Sequence, residues 1–138
     1  MADSLWVIGA SMTKFMRYKD KDLIDLGSEA ALAALADAGL TIFDADILAA
    51  GCLYETGGMG QRLQKQIGQT GIPVYNVSNA CATGATAFRV AAMAIKAGEA
   101  DIGLAVGVSL AISTQICPPR RRGRAAKWLT RSGSSARR

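Results

Sequence analysis

Residues Val77 to Ala97 read V-S-N-A-C-A-T-G-A-T-A-F-R-V-A-A-M-A-I-K-A, and this stretch constrains the chain more than any other. A strand from Pro73 to Val77 passes through a polar turn, Ser78 and Asn79, into a helix built of small and apolar residues. A helix that is apolar on every side is expected to be covered on every side. That demands layers, with the helix sandwiched in an α/β protein. Cys81 falls at the first turn of this helix, where free amide N–H groups and the positive end of the dipole gather. A thiolate is favoured in that place. Two readings stand: a nucleophile, or a packed cysteine of the kind common in cores.

The rest of the sequence fits the layered reading. Leu5–Ala10 (L-W-V-I-G-A) reads as a buried strand, and Ser11–Lys21 as a polar connection. Lys14, Arg17, Lys19 and Lys21 in that connection are candidates for meeting an anion, though a solvated loop explains them as well. Asp22–Ala38 is a helix with Asp22 and Asp25 at its negative-favouring end and Gly39 as its stop. Asp46–Gly51 is a strand, with Cys52 packing behind it. Tyr54–Gly60 (Y-E-T-G-G-M-G) is a turn or interface loop, since neither phosphate-binding glycine pattern is present. Gln61–Gly68 is a short polar helix, Ile72–Val77 a strand, and Ile102–Val108 a last strand after a stop at Gly98. Strand–helix alternation with continuously apolar strands predicts a mostly parallel sheet with helices on both faces.

The charge is divided. Residues 118–138 hold eight of the sixteen Lys and Arg and none of the eleven acids, so the net +5 belongs to the C-terminal end. That end, P-P-R-R-R-G-R-A-A-K-W-L-T-R-S-G-S-S-A-R-R, has no periodicity and is expected to be disordered. A basic arm with one Trp offers phosphate contacts to nucleic acid or an anionic surface. A reading-frame change in a GC-rich gene would also leave such an arginine-rich end. Cys52, Cys81 and Cys117 are too widely spaced for a disulfide framework or a metal cluster, which points to reduced thiols and a cytoplasmic setting. No histidine is present, removing the commonest general base and metal ligand. No signal peptide is read at the N-terminus. The longest apolar run, Ile102–Ile112, is too short for a membrane span.

Residues 5 to 109 resemble the N-terminal half of a thiolase, most of all the sterol-carrier-protein-x or lipid-transfer-protein branch. The similarity lies in V-I-G-A-S-M-T-K-F, E-A-A-L-A-A-L-A-D-A-G-L, G-M-G-Q-R, G-I-P-V-Y-N-V-S-N-A-C-A-T-G-A-T-A and A-I-K-A-G-E-A-D-I-G-L-A-V-G-V. Beta-ketoacyl-ACP synthases share the fold and the cysteine, but Y-N-V-S-N-A-C-A-T-G looks more like the thiolase side. The resemblance implies a half-fold of βαβαβαββ order and makes Cys81 the family's nucleophile. That thiolate attacks an acyl-CoA carbonyl and holds the acyl group as a thioester. It implies a coenzyme A thioester as substrate, no bound cofactor or metal, and a homo-oligomer or a partner chain carrying the second half. The family's Asn-His, Gly-His and Cys-x-Gly motifs are absent here, Cys117 being followed by Pro118 and Pro119. The family pattern after the last strand is replaced by Ser109-Leu110-Ala111. The expectation is a half-domain over 1–109, a divergent tail over 110–138, and an acyltransferase apparently truncated and inactive alone. Three alternatives accompany it: a non-enzymatic interaction fragment, a steroid-CoA retro-aldolase-type subunit needing a partner, and an anionic-surface or nucleic-acid binder working through the tail.

Overall fold

The computed structural model describes residues 4–54 and 57–109. The expectations for the 110–138 tail, for Cys117 and for Glu55 and Thr56 of the glycine-rich loop lie outside the described residues. In chain order the elements are α1 (Leu23–Asp37), a 3-10 turn (Ile42–Asp44), β1 (Ile47–Cys52), α2 (Met59–Ile67), β2 (Val74–Val77), α3 (Thr83–Lys96) and β3 (Gly103–Val108).

Local chemistry fixes both ends of α1. The Asp22 side chain accepts from the Asp25 amide at 2.8 Å, and Asp25 accepts from the Asp22 amide at 3.0 Å, a reciprocal cap. At the other end Gly39 takes φ +69°, and the Leu40 amide reaches back to the Leu35 carbonyl at 2.9 Å. A side chain at that φ would be strained, so glycine ends the helix there.

The three strands form a parallel sheet in the order β2-β1-β3. β1 lies in the middle, and all six of its residues are buried. Helices α1 and α2 cover one face, where Leu48, Met59 and Leu63 are almost wholly enclosed. Helix α3 covers the other, laying Ala87 and Ala91 on Ala49. Sheet and helices on both faces are as the sequence predicts.

Two expectations are corrected. Leu5–Ala10 forms neither helix nor strand and pairs with no strand among the described residues, and Trp6, Val7 and Ile8 are 81, 68 and 57 % exposed. The segment is held on α1 instead. Gly9 sits so close to Ala34 and Ala38 that an added Cβ would lie 2.4 Å from the Ala34 carbonyl oxygen, and the Ala10 amide donates to Asp37 at 3.0 Å. A cleft lined by Trp6, Ile8, Ala38, Ile95, Ile102 and Leu104 lies where the segment and the start of β3 approach. An apolar run becomes a strand only where a sheet edge meets its backbone groups, and here none does. Helix α3 is the second correction. It buries one stripe, Thr83, Ala87, Ala91 and Ala94, while Phe88 and Met93 on the remainder are 53 and 58 % exposed. Its composition is apolar all round, but within these residues only the sheet covers it.

Asp46 ties the entrance of β1 to that of β3, accepting from the Asp101 and Ile102 amides at 2.9 Å each. Those two N–H donors hold its carboxyl below the usual 3.8, with the Ile102 amide the larger cause. A depressed folded-state value stabilises the fold above the unfolded value, and that contribution is lost as pH falls through the folded one. Asp46→Asn is therefore expected to lower the urea midpoint near neutrality, the gap to the parent narrowing as pH drops below about 4. An unchanged gap on acidification would count against it.

Candidate functional site

All three strands run the same way, so their carboxyl ends share one edge: Cys52, Val77 and Val108. In open parallel α/β sheets ligands bind at that edge. The turn from β2 to α3 lies there and carries Cys81, which is an exposed free thiol. Cys52, the other described cysteine, is buried at 3 % exposure. Cys81 stands one residue ahead of the helix cap, Ala82, rather than inside the first turn as the sequence suggests.

Glycines let α3 settle this far onto the sheet. A Cβ on Gly107 of β3 would come 2.7 Å from the Gly84 Cα, and one on Gly51 of β1 would come 2.8 Å from the Thr83 methyl. Contacts that short require backbone movement, so both strands need glycine where the helix head presses down. Gly107→Ala is expected to cost about 1–3 kcal/mol of stability by overpacking. The measurement is a urea midpoint at neutral pH, and a midpoint equal to the parent's would refute this close packing.

The turn itself is tightly knotted. Ala80 has φ +44°, a left-handed conformation that residues with a Cβ seldom adopt. The Ala82 amide donates to the Asn79 carbonyl at 2.9 Å, and the Thr83 amide to the Ala80 carbonyl at 3.2 Å. The Thr83 hydroxyl accepts from the Asn79 amide at 2.8 Å and donates to the Ala80 carbonyl at 2.7 Å. Asn79 Nδ2 donates to the Thr86 hydroxyl at 3.0 Å. Gly84 and Ala85 follow at the helix start, where amide N–H groups precede the first intrahelical partners. Sequence reasoning singles out Cys81 but not Thr83, Gly51 or Gly107. The small residues facing the helix head were the available signal.

The other candidates gather elsewhere. Lys21 pairs with Glu29 and lies 5.5 Å over the Tyr18 ring, and Tyr18 donates to the Lys14 carbonyl at 2.8 Å. The glycine-rich loop ends in Gly58, whose φ of +73° opens α2, so Met59 and Gly60 belong to that helix. Among the described residues no three His, Cys, Asp or Glu side chains are grouped to hold a metal, and no helix is long and apolar enough to cross a membrane.

A parallel sheet layered between helices, with an accessible cysteine on the turn at its carboxyl edge, defines a class of thiol-bearing α/β fold. Residues 5–126 match the thiolase N-terminal domain, and the chain belongs to the thiolase family. The match runs past residue 109, where the similarity read from the sequence stops. Sterol carrier protein 2 of Gallus gallus is 39 % identical over 110 residues, which are 78 % of this chain and 20 % of that protein. The acetyl-CoA acetyltransferase of Methanothermobacter thermautotrophicus is 36 % identical over 107 residues, 74 % of this chain and 28 % of that one. Among solved structures, 3-oxoacyl-[acyl-carrier-protein] synthase III from Aquifex aeolicus superposes with a TM-score of 0.56 at 25 % identity, over 59 % of this chain and 28 % of its own. An Ltp2-ChsH2(DUF35) aldolase superposes at 0.55 and 27 % identity, over 66 % and 24 %. The matched part of the chain thus spans between 20 and 28 % of the length of these relatives.

Proposed function

We propose that this chain carries the nucleophile of a thiolase-type acyl-CoA acyltransferase, with Cys81 as the residue acylated. The observation that carries the reading is the place of Cys81: an exposed free thiol on a braced turn at the carboxyl edge of a parallel sheet, in a chain of the thiolase family. In the step itself the Cys81 sulfur attacks the thioester carbonyl of an acyl-CoA. A bond forms between Sγ and the acyl carbon, the bond from that carbon to the CoA sulfur breaks, and the proton lost by Cys81 ends on the free CoA thiol. Transfer onward, by condensation or thiolysis, needs an acid/base group. None of the 138 residues is a histidine. The second half of the site therefore comes from a partner chain or a further segment, in a reducing compartment such as the cytoplasm.

The test is CoA release. One equivalent of free CoA per protein, appearing on incubation with acetyl-CoA and absent from Cys81→Ala, is the result expected. Equal release from both proteins would refute the assignment.

A second reading is a partner-dependent aldolase subunit acting on a CoA thioester. What favours it is the likeness to the aldolase complex named above. Restoration of carbon–carbon cleavage by a histidine-bearing thiolase half would favour the first reading. Cleavage that appears only with a DUF35-type partner would favour the second.

A further inference from the structure

We infer that Thr83 is the positioning residue that holds Cys81 in its reactive place, an inference that rests on the acyl-transfer reading of Cys81. Thr83 is buried at 6 % exposure, while Cys81, two residues earlier, is exposed. Its one hydroxyl serves both sides of the strained residue, accepting from the Asn79 amide and donating to the Ala80 carbonyl. Ala80 at φ +44° is not a conformation alanine keeps unaided. The two bonds span it and fix the direction in which the chain leaves for Cys81. The methyl group locks the hydroxyl in turn. It lies over Gly51 so closely that a Cβ there would come within 2.8 Å, which leaves the side chain little room to rotate. The oxygen braces the turn, and the methyl narrows the range through which that oxygen can swing. Thr86 repeats the device one helical turn on, taking the Asn79 side chain and bonding the Ala82 carbonyl at 3.0 Å. The Asn79–Ala82 turn is therefore strapped to α3 at two levels, and Cys81 rides between them.

The experiment follows alkylation of Cys81 by iodoacetamide across pH, resolved by peptide mass so that Cys52 and Cys117 do not contribute. It needs no acyl-CoA, so failed acylation and failed positioning are separate results. Thr83→Val keeps the shape and removes the hydroxyl, leaving the Asn79 amide without its partner. We expect alkylation about tenfold slower at every pH. Thr83→Ser, which keeps the hydroxyl, is expected to restore most of the rate. Circular dichroism and a urea midpoint establish that each variant folds. Should Thr83→Val not fold, Thr83→Ala makes the same removal without the branched contact. A parental rate in the hydroxyl-less variant, or no recovery in Thr83→Ser, would overturn the inference.

Discussion

Thiolase turnover by these 138 residues alone is expected to lie on the order of 10²–10³ or more below that of a full-length relative, a lower bound set by loss of a single oxyanion donor. The deficit is larger when a base is also missing, because general acid–base catalysis typically contributes about 10²–10⁴ more. No histidine is available within the sequence, and the helix that heads the site leaves Phe88 and Met93 uncovered on its outer face. Acylation of Cys81 demands only an accessible thiol and a thioester, whereas turnover demands proton transfer at a second centre. The two activities should therefore separate: one acyl group taken up, little passed on. Cleavage of acetoacetyl-CoA with free CoA, followed by loss of absorbance, measures this directly. A rate within tenfold of a full-length thiolase would mean that these residues assemble a complete site.

Leu48→Ala is expected to have the largest effect on stability, about 2–5 kcal/mol. Leu48 lies in the central strand, is fully buried, and joins Leu63, Met59 and Leu104 in the core beneath α1 and α2. Its backbone pairs with Val74 on one side and Leu104 on the other, so the surroundings are fixed from both edges and close poorly around a cavity. Urea unfolding at neutral pH gives the size. A cost under about 1 kcal/mol would indicate that the site collapses around alanine, which the strand pairing argues against. Ala87 is equally enclosed, yet it has only a methyl group to lose, and the α3 side of the sheet is held by close approach instead of bulk.

Where local chemistry decides structure, the sequence could be read closely. Asp22, Asp25 and Gly39 bracket α1 to within one residue at each end, Gly98 with φ +75° closes α3, and the expected strand Asp46–Gly51 lies one residue from the central strand Ile47–Cys52. The N-terminal run Leu5–Ala10 could not be read that way, because strand formation depends on a neighbouring edge that lies elsewhere in the chain. The same limit hid the exposed face of α3, since composition reports what a helix can bury and not what is there to cover it. At the site, Cys81 stood out by residue type and by its place after a strand. The bracing by Thr83 did not, for it depends on the φ of Ala80 and on a methyl contact with Gly51, 32 residues earlier in the chain (83 − 51). The glycine pair Gly84 and Gly107 left its small residues as the only sign, because which two glycines meet depends on how distant segments pack.

Intact-mass spectrometry after incubation with acetyl-CoA, with Cys81→Ala beside it, tests the central claim most directly. A gain of one acetyl group is expected in the parent, located by peptide mass at Cys81 and absent from the variant. An adduct of equal size in Cys81→Ala, or none in the parent under conditions that acylate a full-length thiolase, would contradict it.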